Sequence, residues 1–471
     1  MTPRKIAAFA IGPFGGALFG LVTLPVITWF FSQEDVGRLS MLQVVMGFSI
    51  LLFSLGLDQS YVREFHEVDD RPKLLKHATY PGIVLLSLSV VALMVFGVSL
   101  SQLVFGVESF TLNLLIILAL LSSFLSRFLS LILRMQERGL AYSMSQLLPK
   151  LLLLCTIGAY LFLDADKTLV NLIAAYTAAT FFVCLVYGWN TRREWFPSIS
   201  TKLEVAQFRN MFAFGLPLIV GGLAFWGLTA VDKIFLRALT NFDELAVYSV
   251  AVSFAAAATI LKSVFSTVWA PIVYKWASQG EGIEKVEKVT NYVLAIVVLV
   301  FCLTGLFSWV ITYFLPSNYS GVQWIVISCI GYPLLYLLSE TTVVGIGITR
   351  KSSYSMFAAT LAFIVNLIGN WMLIPEYGAK GAAASTCFSF WVFFILRTEF
   401  SIFLWQPLPR RRLYLMSALC VAMAIVSTLF GDNWSQTVLM LWGIVLLGAY
   451  VVFATEVSST FHYLRSKLQR V

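Results

Sequence analysis

The chain alternates long apolar runs with short polar connections. A membrane-crossing helix needs about 20 apolar residues. That measure predicts fourteen helices, at roughly 8–31, 36–58, 78–100, 112–133, 144–163, 168–189, 211–236, 245–270, 289–314, 322–347, 354–374, 381–403, 413–430 and 437–456. The connections leave no room for a soluble domain. The expected fold class is an all-α polytopic membrane protein.

Two passages repeat. FAIGP at 9–13 echoes FAFGLP at 212–217, and EDVGRLS at 34–40 echoes DELAVYS at 243–249. Two membrane halves that open alike are the mark of an internally repeated transporter. Basic connections at 190–209 and 405–412 look like seams. They predict an N-terminal six-helix lobe over 1–200, a second over 201–404, and an additional helix pair with a cytoplasmic tail over 405–471.

Composition agrees with this pattern. Of 471 residues, 59% are hydrophobic and 12% charged, where soluble domains carry about a quarter charged. The net charge of +8 could suggest a nucleic-acid partner, but its placement argues for topology instead. With the N-terminus inside, 25 Lys and Arg fall on the inner side and four (Arg38, Lys167, Arg237 and Lys380) on the outer side. The positive-inside rule then puts both termini in the cytoplasm. The six cysteines lie in apolar runs without a C-x-x-C, and the three histidines form no cluster. No disulfide, metal site, nucleophile elbow or phosphate-binding glycine loop is expected. Neither an enzyme nor a cofactor is implied.

Charges inside apolar runs are costly, at about 2.5–3.5 kcal/mol each on the lowest scale. Lys150, Lys262, Arg127 and Glu340 all fall at the cytoplasmic third of their helices. They are read as lining a cavity, with Lys150, Lys262 and Arg127 as candidate substrate-binding cations. Asp232 and Lys233 lie near the outer end of the seventh helix. With Glu340 they are candidates for a coupling site or a structural ion pair. Asp58, at the inner end of the second helix, reads as solvated. Pro13, Pro25 and Pro217 are expected to bend their helices. The four-residue spacing of Gly12, Gly16 and Gly20 reads as close helix packing. Trp226, Trp269 and Trp371 could stack on sugar rings, and the sequence does not choose among them.

Three pieces in order carry a family resemblance: residues 34–40, then DKIFL at 232–236 with VYSVA at 247–251, then NLIGN at 366–370 leading to PEYGAKGAA at 375–383. Over about residues 5–403 the chain resembles the polysaccharide flippases of the multidrug/oligosaccharidyl-lipid/polysaccharide (MOP) exporter superfamily. The resemblance implies a V-shaped cavity between two six-helix lobes in a bacterial inner membrane. It implies ion-coupled alternating access, driven by H+ or Na+, and an undecaprenyl-diphosphate-linked glycan as the substrate. Such a glycan would be an O-antigen (lipopolysaccharide) or exopolysaccharide repeat unit, carried from the cytoplasmic to the periplasmic leaflet, with polymerase machinery as a further partner. Lipid II flippases and drug exporters of the superfamily are the alternatives. The former carry arginines within helix one, which here has none after Arg4. A membrane polysaccharide polymerase or ligase would need a large outer loop that the pattern lacks.

Overall fold

The computed structural model describes residues 3–279 and 283–456, without the side chains of residues 3–11, Pro13 and Thr267. The expectations for Pro13 and for the tail after 456 lie outside the described residues. Twelve described segments are long and apolar enough to cross a membrane. One of them, Ser353–Leu404, is two helices joined at a kink, where Gly378 takes φ 54° and ψ −129°. With the first helix, Pro3–Phe30, the fourteen expected helices are present.

The chain forms two compact units, residues 1–237 with 241–246, and residues 238–240 with 247–471. The division does not fall at the 190–209 seam, so the seventh of the expected helices belongs to the first unit.

The first unit contains α1 (Pro3–Phe30), α2 (Gln33–Phe53), the short α3 (Leu57–Glu64), α4 (Arg71–Val95), α5 (Leu100–Phe105), α6 (Phe110–Met135), α7 (Gly139–Phe162), α8 (Leu169–Ser198) and α9 (Val205–Leu239). The glycine stripe of α1 lies against α7. A Cβ on Gly12 would stand 2.8 Å from the Ser143 Cα, and one on Gly15 would stand 2.6 Å from Leu147. Small residues here allow the two backbones to approach. Helix α9 continues through Pro217, the residue expected to bend it. A proline removes one helix hydrogen bond, and membrane helices tolerate it where neighbours supply other partners. The N-terminal half of α9 lies against α3: Ser60 Oγ donates to the Met211 carbonyl at 2.7 Å. Arg63 sits 4.3 Å above the Phe214 ring.

The two echoing passages both start helices. Ser32 Oγ accepts from the Asp35 amide at 3.1 Å to cap α2. Asn241 Oδ1 accepts from the Glu244 amide at 2.9 Å at the start of α10 (Phe242–Ala255). Such caps satisfy amides that a helix start leaves open. The two openings abut. Arg38 and Arg237 lie over the Phe242 ring at 5.2 and 4.3 Å. A Cβ on Gly37 would stand 2.0 Å from the Phe242 carbonyl oxygen.

The second unit holds most of α10, then α11 (Thr259–Ser278), α12 (Ile283–Phe307), α13 (Val322–Cys329), α14 (Gly331–Thr342), the short α15 (Val344–Ile348), the kinked α16 (Ser353–Leu404), α17 (Arg411–Phe430) and α18 (Ser435–Val452). The terminal pair is built into this unit instead of standing apart. Trp442 is fully buried, donates to Ser427 Oγ at 2.9 Å, and fills the space that a Gly305 side chain would take. Thr428 bonds Ser328 at 2.7 Å and the Trp324 carbonyl at 2.9 Å.

Candidate functional site

Helix α14 places Tyr332, Tyr336 and Glu340 at four-residue intervals, so they share one face. Phe390, Phe393 and Arg397 line a face of the second limb of α16 by the same logic. The aromatics meet first: Tyr332 lies 4.5 Å from Phe390, and Tyr336 stacks on Phe393 at 5.9 Å. Arg397 then reaches back to α14. It donates to Glu340 Oε1 at 2.9 Å and Ser339 Oγ at 2.7 Å. Its guanidinium lies 5.3 Å from the Tyr336 ring and 5.1 Å from the Phe393 ring. From α11, Lys262 donates to the Tyr332 hydroxyl at 3.1 Å and sits 3.7 Å above the Tyr336 ring. The aromatic faces give both cations an electrostatic partner where water is scarce.

A pocket of about 380 Å³ opens beside this cluster, lined among others by Trp269, Tyr274, Glu340, Arg350, Ser352 and Arg397. Two buried donors on its lining residues, Trp269 Nε1 and Arg397 Nε, have no protein acceptor among the described residues. Gly347 permits its closing wall, since a Cβ there would stand 2.2 Å from the Tyr274 hydroxyl. Arg350 follows α15 in the left-handed region, at φ 58°. Its amide bonds the Gly347 carbonyl at 3.2 Å, and the Lys351 amide bonds the Ile346 carbonyl at 3.2 Å. Helices commonly end this way with glycine. An L-residue there costs about 1–2 kcal/mol, and here it keeps a cation at the pocket. Among the described residues, the cluster and pocket set Lys262, Arg350 and Arg397 against one carboxylate, Glu340. The balance is positive and the walls are aromatic, which suits an anion that also carries stacking or hydroxyl groups.

The other expected residues fall elsewhere. Lys150 is half-buried in the first unit, where its ammonium donates to the Gly16 carbonyl of α1. Arg127 of α6 donates to Asp58 Oδ2 at 2.6 Å. Asp58 is therefore buried and ion-paired, not solvated: α3 begins within the bundle after two left-handed residues, Leu55 and Gly56. Asp232 is buried at 1% exposure and Lys233 half-buried; both are engaged in hydrogen-bond or electrostatic interactions. Pro25 is buried within α1. Of the three tryptophans, Trp226 lies against Phe48 at 5.1 Å, Trp371 is exposed, and Trp269 reaches the pocket. Arg397, which the positive-inside count includes among the 25 inner-side cations, is buried at 8% exposure. Its position one helical turn and more before the end of an apolar run, seven residues after Phe390, was the available signal.

The kinked α16 also carries a buried carboxamide group. Asn366 Nδ2 donates to Thr386 Oγ1 at 3.2 Å, Asn370 Nδ2 donates to Asn366 Oδ1 at 3.2 Å, and Ser385 Oγ donates to the Asn366 carbonyl at 3.2 Å. These bonds tie the two limbs together across Gly378.

Residues 3–276 match the family model described as "Polysaccharide biosynthesis protein". An uncharacterized membrane protein of Methanocaldococcus jannaschii is 24% identical over 296 residues, covering 59% of this chain and 57% of that protein. The match thus spans just over half of that relative's length. Among solved structures, the lipid II flippase MurJ in an inward closed conformation is similar at TM-score 0.68 and 13% identity, covering 95% of this chain and 99% of that one. An inward-facing multidrug resistance MATE family transporter of the MOP superfamily is similar at TM-score 0.58 and 13% identity, covering 87% and 99%. At such identities the likeness speaks for the fold. A family match over more than half the chain, joined to a fourteen-helix architecture of this kind, makes the chain a multi-pass membrane protein of the polysaccharide biosynthesis protein family with the fold of the MOP superfamily transporters.

Proposed function

We propose that this protein is a flippase that carries an undecaprenyl-diphosphate-linked oligosaccharide, an O-antigen or exopolysaccharide repeat unit, from the cytoplasmic to the periplasmic leaflet of the bacterial inner membrane. A glycan diphosphate cannot cross hydrocarbon unaided. The observation that carries the reading is a pocket lined by Arg350 and Arg397, with Lys262 on the adjoining Tyr332–Tyr336 cluster and Glu340 as the one carboxylate among its described lining residues. The diphosphate would meet Lys262 and Arg350. Trp269 would offer its ring to a sugar. With the N-terminus inside, the positive-inside rule favours the cytoplasmic side for this pocket.

Lys150 and Arg127 extend the same proposal to the first unit, as cations that exchange the Gly16 carbonyl and Asp58 for phosphate during transport. Asp232, buried, is the proposed carboxylate for H+ or Na+ coupling, with Lys233 and Glu340 as structural partners in ion pairing. Glycan polymerase machinery is the expected downstream partner.

The experiment is surface glycan in a strain lacking its own flippase, with protein level measured in the same membranes. Lys262→Glu should strongly reduce export at normal abundance, and Lys262→Arg should retain more of it. Normal export from a Lys150→Glu, Lys262→Glu double variant would overturn the assignment. Lipid II is the second reading, favoured by the near-complete coverage of the MurJ chain. Growth rescue of a strain depleted of its lipid II flippase would select it.

A further inference from the structure

A second, larger cavity of about 1440 Å³ lies wholly within the first unit, among α4, α6 and α8. Sites for drug-sized ligands run to roughly 300–1,000 Å³, so this one accommodates a larger molecule. Its floor is apolar, with Ile83, Leu129 and Leu185. One end is different in kind. There α8 turns basic, with Trp189, Arg192 and Arg193 exposed. Lys76 closes the wall by donating to the Ile199 and Thr201 carbonyls, at 2.8 and 2.5 Å. Arg192 stacks 4.3 Å from the Trp189 ring and donates one nitrogen to the Trp189 carbonyl at 2.7 Å. This stacking fixes the guanidinium at the rim with further N–H groups to spare. The only acidic neighbour on this stretch of α8, Glu194, is occupied by Gln136 Nε2 at 2.8 Å. An apolar trough with a tryptophan and two arginines at one end matches the acyl chains, interface and phosphate of a single membrane lipid.

We propose that this groove is a binding site for one anionic phospholipid, acyl chains along α4 and α6, phosphate at Arg192 and Arg193. The site is separate from the pocket around Lys262 and does not depend on the proposed transport.

The test uses the purified full-length protein, with phosphatidylglycerol and phosphatidylethanolamine of identical acyl chains as probes and native mass spectrometry to count retained lipid. The wild type should retain phosphatidylglycerol preferentially. Arg192→Gln with Arg193→Gln should lower that preference by about twenty-five-fold, at about fivefold per surface charge. Leu185→Trp, which fills the floor, should reduce retention of both lipids. Melting of each variant checks folding; because both arginines are exposed, the double variant should melt as the wild type does. Equal retention of the two lipids by the wild type, or a preference unchanged in the arginine variant, would overturn the proposal. So would displacement of phosphatidylglycerol by an equal concentration of undecaprenyl phosphate, which would assign the groove to the polyprenyl carrier.

Discussion

Arg397 of α16 gives one guanidinium nitrogen to two neighbours on α14, the Glu340 carboxylate at 2.9 Å and the Ser339 hydroxyl at 2.7 Å. The pair fixes the spacing of the helices that carry Tyr336 and Phe393, and through them the position of Lys262.

Breaking one side of this pair should be costly. Glu340→Gln leaves a nearly buried guanidinium without its counter-charge, and such changes cost roughly 3–5 kcal/mol. The double variant Glu340→Leu, Arg397→Leu should lose less, because no charge is left behind. Thermal melting in detergent measures both. Equal melting of the single variant and the wild type would mean that water reaches the pair.

Arg350 separates backbone comfort from function. Arg350→Gly relieves a left-handed residue and should leave the melting temperature unchanged or raise it, by about 1 kcal/mol in stability. Glycan export should nevertheless fall, because the pocket loses a cation. An export level equal to wild type would remove Arg350 from the site.

Gly37 should tolerate no side chain. A Cβ there meets the Phe242 carbonyl at 2.0 Å, and backbone moves little to make room. Gly37→Ala should destabilise by about 1–3 kcal/mol, read as a lower melting temperature or lower membrane abundance. Gly158→Ala, with nothing within 4 Å of its Cβ position, is the matched control and should be near neutral.

Removing the terminal pair should fail. Deletion after residue 410 exposes the Gly305 face that Trp442 covers and strips Ser328 of its Thr428 partner. The truncated protein should be degraded or unfold in mild detergent. A stable twelve-helix protein would restore the separate domain that the linker suggested.

Much of this architecture was legible because a span imposes its own length and apolarity on the sequence. The fourteen runs and the echoing stretches at 34–40 and 243–249 are local features, and local features are written in order along the chain. Glu340 was legible as a costly charge, but its partner was not, because Arg397 lies near enough to a helix end to be counted with a loop. The left-handed Arg350 carries no sequence mark at all: only the geometry of the α15 terminus demands it. The missing amide of Pro217 is visible in sequence, whereas the packing that lets α9 continue through it is not. The terminal pair misled for the same reason. Its basic, proline-containing linker is local, while the Trp442–Gly305 fit joins residues far apart.

The most direct test of the central claim is translocation by the purified protein in vesicles, with an undecaprenyl-diphosphate oligosaccharide as cargo and enzymatic trimming of the exposed glycan as readout. The wild type should move the lipid across the bilayer. Lys262→Glu should bind and move it about tenfold to a hundredfold less well, the worth of one charge-assisted contact, while melting at or near the wild-type temperature. Translocation by Lys262→Glu at the wild-type rate would contradict the account, as would a wild-type protein that leaves the lipid-linked glycan in its original leaflet.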